Sequence, residues 1–447
     1  MRDLRKKALL ESQKTVSRKA RSKPDSVRSS VNQSPDVSPG HSRAGSRQNS
    51  RPGSRYASED EGASDDEYDA MTMSTDSGSG DEAFGDDPSN TWTERLQTRI
   101  DELQDRKRGI HGRADTLSAY LHLVRHHYAE NKIARSSSEI VSALLRIVRD
   151  AASEDERLLA LKGLVVTLLT CPSKGSSGAL YPALKSVCED VDEASVKVQA
   201  IHALMTAAVY GGADSEELLE FLLDIIQNDG ASVGADDNAA VVTAALRAWG
   251  FVASFLEGMA ERSDQVMEAF IDQLDSTEPD VQSAAGTNIA SLFEAARDHE
   301  EETGEGAEMQ RDLYKAVTRM NEIVKDSSKA ISKKGKKQRR GNFASIITSL
   351  ERGVGPGYST AGFRFNPHVG GNKPRFYDNY EEFGYRETLR IHNQVLLIDT
   401  WTLHVRVEVL KILLGGGLPT HYLENPVVKE MLESAEVNHV MTGTERK

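Results

Sequence analysis

Between residues 91 and 332, apolar side chains recur at spacings of three to four, which predicts amphipathic helices and not strands. Four of these segments are rich in alanine: Arg157–Thr170, Val196–Tyr210, Asn238–Leu256 and Asp280–Arg297. Corresponding alanines lie roughly forty residues apart, the period of HEAT and armadillo arrays, at Ala160, Ala200, Ala244 and Ala284. In such arrays each helical unit buries its apolar face on its neighbours. The pattern therefore predicts a mainly α fold, a HEAT/armadillo-like α-solenoid of about five repeats over residues 91–332.

Acidic residues and a proline mark the expected starts of these helices. They stand at Glu154, Asp192-Glu193, Asp214 and Pro279-Asp280. A carboxylate interacts favourably with the positive end of a helix dipole, and proline is tolerated in the first turn. These positions therefore predict where the main helices begin.

Residues 386–441 show a different pattern, which predicts a small α+β domain. Thr388–Ile391 and Val395–Ile398 are short apolar runs around a polar turn, as expected for a hairpin. Asp399 and Thr400 offer side-chain oxygens to cap a helix that starts at Trp401. Three glycines, 415–417, end that helix, and a second short helix is expected over 427–432. The predicted core contains Ile398, Asp399 and Trp401.

The first ninety residues contain almost no apolar side chains that could form a core, so they are predicted to be a disordered tail. The tail is basic as far as Arg55 and acidic from Glu59 to Asp87. Ser-Arg pairs repeat every four residues in the basic half, so each arginine lies three residues before a serine, the spacing that basophilic kinases recognise. The acidic half has carboxylates three residues after serines, as acidophilic kinases prefer. The candidate phosphorylation sites are Ser46, Ser50, Ser54, Ser58 and Ser64. Two basic groups ten residues apart also resemble a bipartite nuclear import signal, made of Lys6, Lys7, Arg18, Lys19, Arg21 and Lys23.

A dense run of cations lies in the segment 333–385, which we interpret as a basic helix followed by a linker rich in glycine and aromatic residues. Its members are Lys333, Lys334, Lys336, Lys337, Arg339 and Arg340, called the basic cluster below. Several cations along one face could neutralise RNA phosphates. The alternatives are an import signal or a solvated helix-to-linker junction. In the linker, 353–357 is expected to be a flexible connector, and seven aromatics over 363–385 either stack on bases or pin the linker to the fold.

Composition excludes several classes of protein. The formal net charge of the 447 residues is -14, which argues against a surface that binds nucleic acid everywhere. Two cysteines, Cys171 and Cys188, cannot build a disulfide framework and favour a reducing compartment. We predict no enzyme, no cofactor, no small-molecule substrate, no membrane attachment and no metal site, although His122 and His126 have the spacing of a chelating pair.

The C-terminal motifs resemble those of the interferon-related developmental regulator family. The resemblance rests on Ile398-Asp399-Thr400-Trp401, the stop Leu414-Gly415-Gly416-Gly417 and the connection His421-Tyr422-Leu423, preceded by a basic helix over 334–351. The long tail and the insertion over 352–385 depart from the family pattern and suit a fungal-type member.

The resemblance implies a non-enzymatic regulator of gene expression. One implied role is a ribosome-associated translational regulator that docks through its solenoid, touches ribosomal RNA with the basic cluster and inserts the segment 427–441. The other is a nuclear transcriptional co-regulator that scaffolds chromatin-modifying complexes, and a purely structural scaffold is the third alternative. Expected partners are the ribosome and proteins on the solenoid surface. The expected location is the cytoplasm, with shuttling to the nucleus left open.

Overall fold

The computed structural model describes residues 91–105, 112–172, 177–259, 263–304, 310–325, 333–364 and 380–439, all of which belong to one compact unit. The tail predicted over residues 1–90 lies outside them. Helices dominate the described residues, and the only strands found there lie beyond residue 357. The solenoid helices are α1 (Trp92–Gln104), α2 (Arg113–His126), α3 (Glu130–Ile133), α4 (Ser137–Asp150), α5 (Glu154–Thr170), α6 (Ser177–Asp190), α7 (Ala194–Gly211), α8 (Ser215–Gln227), α9 (Ala239–Ala253), α10 (Ser263–Gln273), α11 (Pro279–Thr303), α12 (Gln310–Lys325) and α13 (Lys333–Arg352).

These helices form six successive pairs in the described ranges: α1/α2, α4/α5, α6/α7, α8/α9, α10/α11 and α12/α13. The second members, α2, α5, α7, α9, α11 and α13, pack on one another in sequence order, and we call them the second-helix row. The mainly α, solenoid-like architecture is therefore confirmed. The sequence predicts about five repeats, and the sixth pair arises because the basic helix α13, assigned to the linker, packs against α12.

The four alanine-rich segments are all members of the second-helix row, and their periodic alanines are buried. Ala160 and Ala200 are fully buried, while Ala244 and Ala284 are 3% and 7% exposed. A methyl side chain at these positions lets neighbouring helices approach closely. The alanines that recur about every forty residues therefore mark the positions where one repeat packs on the next.

The predicted helix starts agree with the observed N-termini to within a residue or two. Asp214 caps α8, because its carboxylate accepts the backbone N–H groups of Glu216 and Glu217. Glu193 is the N-cap residue of α7, and Pro279 is the first residue of α11. Glu154 begins α5, but the side chain that caps this helix is that of Ser153, which accepts the N–H of Glu156.

The C-terminal unit begins with the predicted hairpin. Strands β3 (Thr388–Ile391) and β4 (Gln394–Leu397) pair antiparallel, and His392 takes a positive φ of 52° in the turn. Helix α14 (Trp401–Leu414) follows, capped by the Thr400 side chain, which accepts the N–H of Leu403. Gly415 ends the helix with a φ of 50°, as the sequence predicts.

Two elements of the C-terminal unit differ from the sequence prediction. A 3-10 turn over Gly415–Gly417 leads straight into a further helix, α15 (Leu418–Glu424), where only a connection is expected. After α16 (Pro426–Met431), the strand β5 (Glu436–His439) pairs antiparallel with β4. The segment 427–439 therefore contributes a buried helix and a strand to this unit and is not a single protruding helix, with Val428 and Met431 buried.

The C-terminal unit packs along the second-helix row. Helix α14 lies on α5, α9 and α11, helix α15 lies on α2, and helix α16 lies on α5. The contacts thus run from the first repeat to the fifth. A solenoid typically offers such a row of helices to protein partners, but here the chain's own C-terminal unit covers much of it. The boundaries at 332/333 and 385/386 stay predictions.

Candidate nucleic-acid interface and the docked C-terminal unit

The basic cluster lies in the first two turns of α13. Among its members, Lys337 and Arg340 are exposed. The backbone of Lys333, Lys334 and Lys336 is helical, but their side chains lie outside the described residues. The exposed pair sits on a helix whose other face is fixed to the solenoid, since Phe343 and Ile346 are buried at 0% and 2% exposure. The cations therefore belong to a helix anchored by its apolar face.

Arg339 does not belong to this cationic surface, which corrects its assignment as an RNA contact. Its side chain is only 6% exposed, and a guanidinium nitrogen donates to the side-chain oxygen of Gln282 on α11 at 3.5 Å. The physical reason is helical register: Arg339 precedes the buried Phe343 by four residues and therefore lies on the same face. The aliphatic part and the guanidinium group of Arg339 are both buried against the solenoid, so this residue anchors α13.

The position of the basic cluster within α13 is electrostatically unfavourable for the isolated helix. The first turn contains no acidic residue, and the cations lie at the end where the backbone N–H groups already give a positive potential. Each cation in the first turn costs a few tenths to about 1 kcal/mol at low salt, and the effect falls off beyond that turn. An anion bound at this end would relieve the repulsion.

The connector 353–357 is fixed, and the expectation of a flexible segment is wrong. Gly355 and Pro356 are buried, and the carbonyl of Gly355 accepts the Ser349 hydroxyl at 3.1 Å. A Cβ atom on Gly355 would lie 1.7 Å from the carbonyl oxygen of Asp399. Glycine is therefore required here because two backbone segments touch.

Part of the aromatic insertion forms a hairpin of β1 (Tyr358–Arg364) and β2 (Tyr380–Tyr385), with β1 against α13. Tyr385 stacks edge-on with Tyr358 at 5.2 Å, and its hydroxyl accepts the Gly355 N–H. Phe383 instead is 44% exposed, with the Arg386 guanidinium 4.3 Å from its ring centre. Tyr385 thus pins the hairpin, whereas Phe383 presents an aromatic surface. Side chains of the remaining aromatics over 363–380 lie outside the described residues.

Other C-terminal cations do not extend the basic surface, because several of them point into the fold. Burial alone would lower the pKa of His404, but the Glu387 carboxylate, 2.5 Å from its Nδ1, raises that pKa overall. Arg406 donates to the carbonyl of Ser254 on the solenoid and lies over the Phe255 ring at 4.4 Å. These side chains fasten the unit and are not available as a phosphate-binding face.

A second set of hydrogen bonds holds the C-terminal unit to the solenoid at the other end of their interface. His421 is fully buried, and its Nε2 donates to the carbonyl of Val124 on α2 at 3.1 Å. Its Nδ1 accepts the Asn425 amide, which also donates to the carbonyl of Leu169 on α5 at 3.1 Å. Burial lowers the pKa of His421 and keeps it neutral, the state that this hydrogen-bond pattern requires. Sequence reasoning missed the pair because its partners lie 297 and 256 residues away.

Two of the three residues predicted to form the C-terminal core are buried. Ile398 and Trp401 are 1% and 3% exposed. Asp399 is only half-buried, and Thr400 alone is the cap of α14, so Asp399 contributes its backbone contact with Gly355 and not a core side chain.

The remaining candidate sites are the import signal, the phosphorylation serines, the histidine pair and the two cysteines. The import signal and the candidate phosphorylation serines lie outside the described residues. The rings of His122 and His126 lie with their centres 4.5 Å apart and are tilted by 46°. Within the described ranges no group of three or more His, Cys, Asp or Glu side chains could hold a metal ion. Both cysteines are buried free thiols, and burial raises the pKa of Cys171 to about 11. None of the described helices combines the length and apolar character that a membrane span requires.

The charge of the solenoid surface is opposite to that of the basic cluster. Residues 212–280 contain sixteen acidic side chains and two arginines. Many of these carboxylates are exposed on α8, α10 and the loops beside them, including Glu220, Asp236, Glu257, Glu268, Asp272 and Glu278. Nucleic acid would be repelled from this face, which confines a phosphate contact to other parts of the surface.

Known proteins are similar to this chain over most of its length. An uncharacterized protein of Schizosaccharomyces pombe is 24% identical over 363 residues, which cover 77% of this chain and 75% of that protein. Interferon-related developmental regulator 2 of Mus musculus is 24% identical over 310 residues, which cover 66% of this chain and 63% of the mouse protein. The sequence profile described as Interferon-related developmental regulator (IFRD) matches residues 63–351, which include the solenoid and α13 and stop before the C-terminal motifs. Because that match spans more than half of the chain, the protein belongs to the interferon-related developmental regulator family, a family of regulators of differentiation or gene expression.

Proposed function

We propose that this protein is a ribosome-associated translational regulator that contacts ribosomal RNA through the basic cluster at the start of α13, with the exception of Arg339. The observation that supports the proposal best is the placement of these cations. They crowd the end of a helix where the dipole opposes them, and the opposite face of that helix is buried. RNA phosphates carry the charge opposite to that of this arrangement.

The rigid frame matters because phosphate contacts position a protein on RNA. Arg339, Phe343 and Ile346 hold α13 against the solenoid, so Lys337 and Arg340 keep a fixed relation to the rest of the surface. Pre-organised cations lose little conformational freedom on binding compared with the same charges in a loose tail. Phe383, exposed beside Arg386 in the neighbouring hairpin, adds a surface on which an unpaired base can stack.

The test is sedimentation of the full-length protein with ribosomes through sucrose gradients at several salt concentrations. The first variant replaces Lys333, Lys334, Lys336, Lys337 and Arg340 with alanine and retains Arg339. We expect it to lose most co-sedimentation, and the slope of log affinity against log salt should fall by about 0.7–0.9 for each phosphate contact removed. Its unfolding midpoint should hold or rise, because the substitutions relieve repulsion at the helix end.

A matched control removes five exposed cations from other elements: Lys132, Arg135, Arg149, Arg390 and Lys429. It changes the net charge equally, so a general loss of attraction would weaken both variants alike. Wild-type ribosome binding by the α13 variant, or equal losses in the two variants, would contradict the proposed contact.

The basic tail favours a second candidate function, transcriptional co-regulation in the nucleus. Alanine replacement of Lys6, Lys7, Arg18, Lys19, Arg21 and Lys23 separates it from the first. If the tail imports the protein, this variant moves from nucleus to cytoplasm while it still co-sediments with ribosomes. Absence of the wild-type protein from every ribosomal fraction, in growing and starved cells alike, would favour the nuclear function.

A further inference from the structure

The basic cluster of α13 has a counterpart within the same chain. Residues 65–87 contain nine acidic side chains and no lysine or arginine. The segment ends five residues before Trp92, where α1 begins. Two oppositely charged groups are therefore linked covalently through the solenoid.

We propose that the acidic segment 65–87 binds the basic cluster of α13 in the ribosome-free protein and competes with RNA for it. The proposal rests on the proposed function, since it names the regulation of the same site. Aspartate and glutamate carboxylates take the places that phosphate oxygens would occupy beside Lys337 and Arg340. The first turn of α13 has no acidic residue of its own, and backbone N–H groups at a helix start donate to carboxylates in the same way as to phosphates.

The length of the chain permits the contact. Asp65 lies 27 positions before Trp92, and at roughly 3.3–3.6 Å per residue this stretch spans up to about 90 Å. The pairs α1/α2 and α12/α13 are the first and last of six, and helices packed roughly 8–10 Å apart place them about 40–50 Å from each other. The part of the segment from Asp65 to Asp76 can therefore reach α13 without full extension.

The charge of the solenoid directs the segment to α13. The face formed by α8 and α10 exposes carboxylates such as Glu220, Glu268 and Asp272, which repel an acidic peptide. Lys337 and Arg340 attract it, and the α13 cluster is the densest run of cations among the residues that the structure describes. Within those ranges, electrostatics favours this site over the acidic face.

Covalent linkage makes a weak contact effective. A link of this length gives an effective concentration on the order of 1 mM. A free peptide with a Kd of about 0.1–1 mM would then, as a linked segment, occupy the cluster between half and nine-tenths of the time. Competition at that occupancy lowers the affinity for RNA by about 2–10-fold.

The test uses the full-length protein, a fluorescein-labelled RNA duplex as the probe, and two charge-matched variants. The segment variant changes Asp65, Asp66, Glu67, Asp69 and Asp76 to the corresponding amides. The control variant makes the same change at five carboxylates that are exposed on the solenoid: Glu220, Asp236, Glu268, Asp272 and Glu278. We expect the segment variant to bind the RNA about 2–10-fold more tightly than wild type, and the control to change by less than half as much on a logarithmic scale.

Carbodiimide cross-linking supplies a readout that needs no RNA. The reagent joins a carboxylate to an amine only where the two are in contact, so the wild-type monomer should give peptides that link residues 65–87 to lysines of 333–337. Failure of RNA binding by the α13 cluster would overturn the proposed function without altering these cross-links. Absence of the cross-links, an equal gain of affinity in both variants, or cross-links without any gain in the segment variant would each overturn the competition proposed here.

Discussion

The Glu294 carboxylate on α11 accepts the backbone N–H of Trp401 at 2.8 Å, and its other oxygen accepts that of Thr402 at 3.1 Å. A solenoid side chain thus supplies hydrogen bonds at the first turn of α14, in addition to the cap from Thr400. Without it, two N–H groups would be left unsatisfied in a partly buried interface. The C-terminal unit is therefore fastened to the solenoid at the start of its main helix.

Replacing Glu294 tests this contact. We expect Glu294→Ala to lower the free energy of unfolding by about 1–3 kcal/mol, since it removes both acceptors from the N–H groups. Glu294→Gln keeps one oxygen and should cost less. Urea denaturation measures both, and Glu300→Ala, at an exposed position of the same helix, is the control. Equal stabilities of the Glu294→Ala and Glu300→Ala proteins would mean that water replaces the carboxylate without loss.

Trp401 tests whether the C-terminal unit and the solenoid unfold together. Truncating a buried tryptophan to alanine costs about 3–5 kcal/mol. Because α14 packs on α9 and α11, we expect Trp401→Ala to lower the midpoint of a single unfolding transition and to make the solenoid and the chain beyond Arg386 protease-sensitive together. Trp401→Phe should cost much less, since the buried indole N–H has no hydrogen-bond partner. Two separate transitions, with the solenoid midpoint unchanged, would show that the two parts are energetically independent.

The sequence predicts this fold well where the signal is periodic. Ala160, Ala200, Ala244 and Ala284 reveal the repeats because every second helix meets the same kind of neighbour. Thr400 reveals the start of α14 because a cap acts within three residues. Both signals are local in the chain, and both predictions are confirmed.

The docking of the C-terminal unit could not be predicted in this way. Glu294 and Trp401 are 107 residues apart, and His421 and Val124 are 297 residues apart. Periodicity indicates that a helix has a buried face but not which distant surface covers it. Arg339 is different, because its spacing of four from Phe343 already indicates burial, and its charge alone led to its assignment as an RNA contact.

Two glycines near α13 are expected to respond to substitution in opposite ways. Gly355→Ala would place a methyl group 1.7 Å from the carbonyl oxygen of Asp399, so the connector and the start of α14 must move apart. We expect a loss of at least 1–3 kcal/mol, as for overpacked cores. At Gly341, within α13, an added Cβ meets nothing within 4 Å, and Gly341→Ala should stabilise the protein by about 0.5–1 kcal/mol. Thermal unfolding compares the stabilities of the two variants. A Gly355→Ala protein as stable as wild type would mean that the connector 353–357 is flexible.

The pair of His404 and Glu387 should give the C-terminal unit a pH-dependent stability. Burial opposes the charged imidazole, but the adjacent Glu387 carboxylate outweighs it and raises the pKa of His404 above the unfolded value of about 6.5. The native state then holds the proton more tightly than the unfolded state does. The resulting stabilisation is complete below the unfolded pKa and disappears as the pH rises through the native pKa. Glu408 and Lys411 also face this histidine, with opposing effects on its charge.

Glu387→Gln isolates the effect of the pair. We expect its unfolding free energy, measured in urea, to fall below that of wild type most strongly at pH 5.5 and to approach it at pH 8.5, because the paired charge exists only while His404 is protonated. His392→Asn is the control, since His392 is exposed in the turn between β3 and β4. That variant loses an imidazole but keeps the pair of His404 and Glu387, so it is the matched substitution for both pH values. A Glu387→Gln protein whose deficit is equal at both pH values, or larger at pH 8.5, would mean that the carboxylate stabilises the unit as a hydrogen-bond acceptor alone and not through the charge of His404.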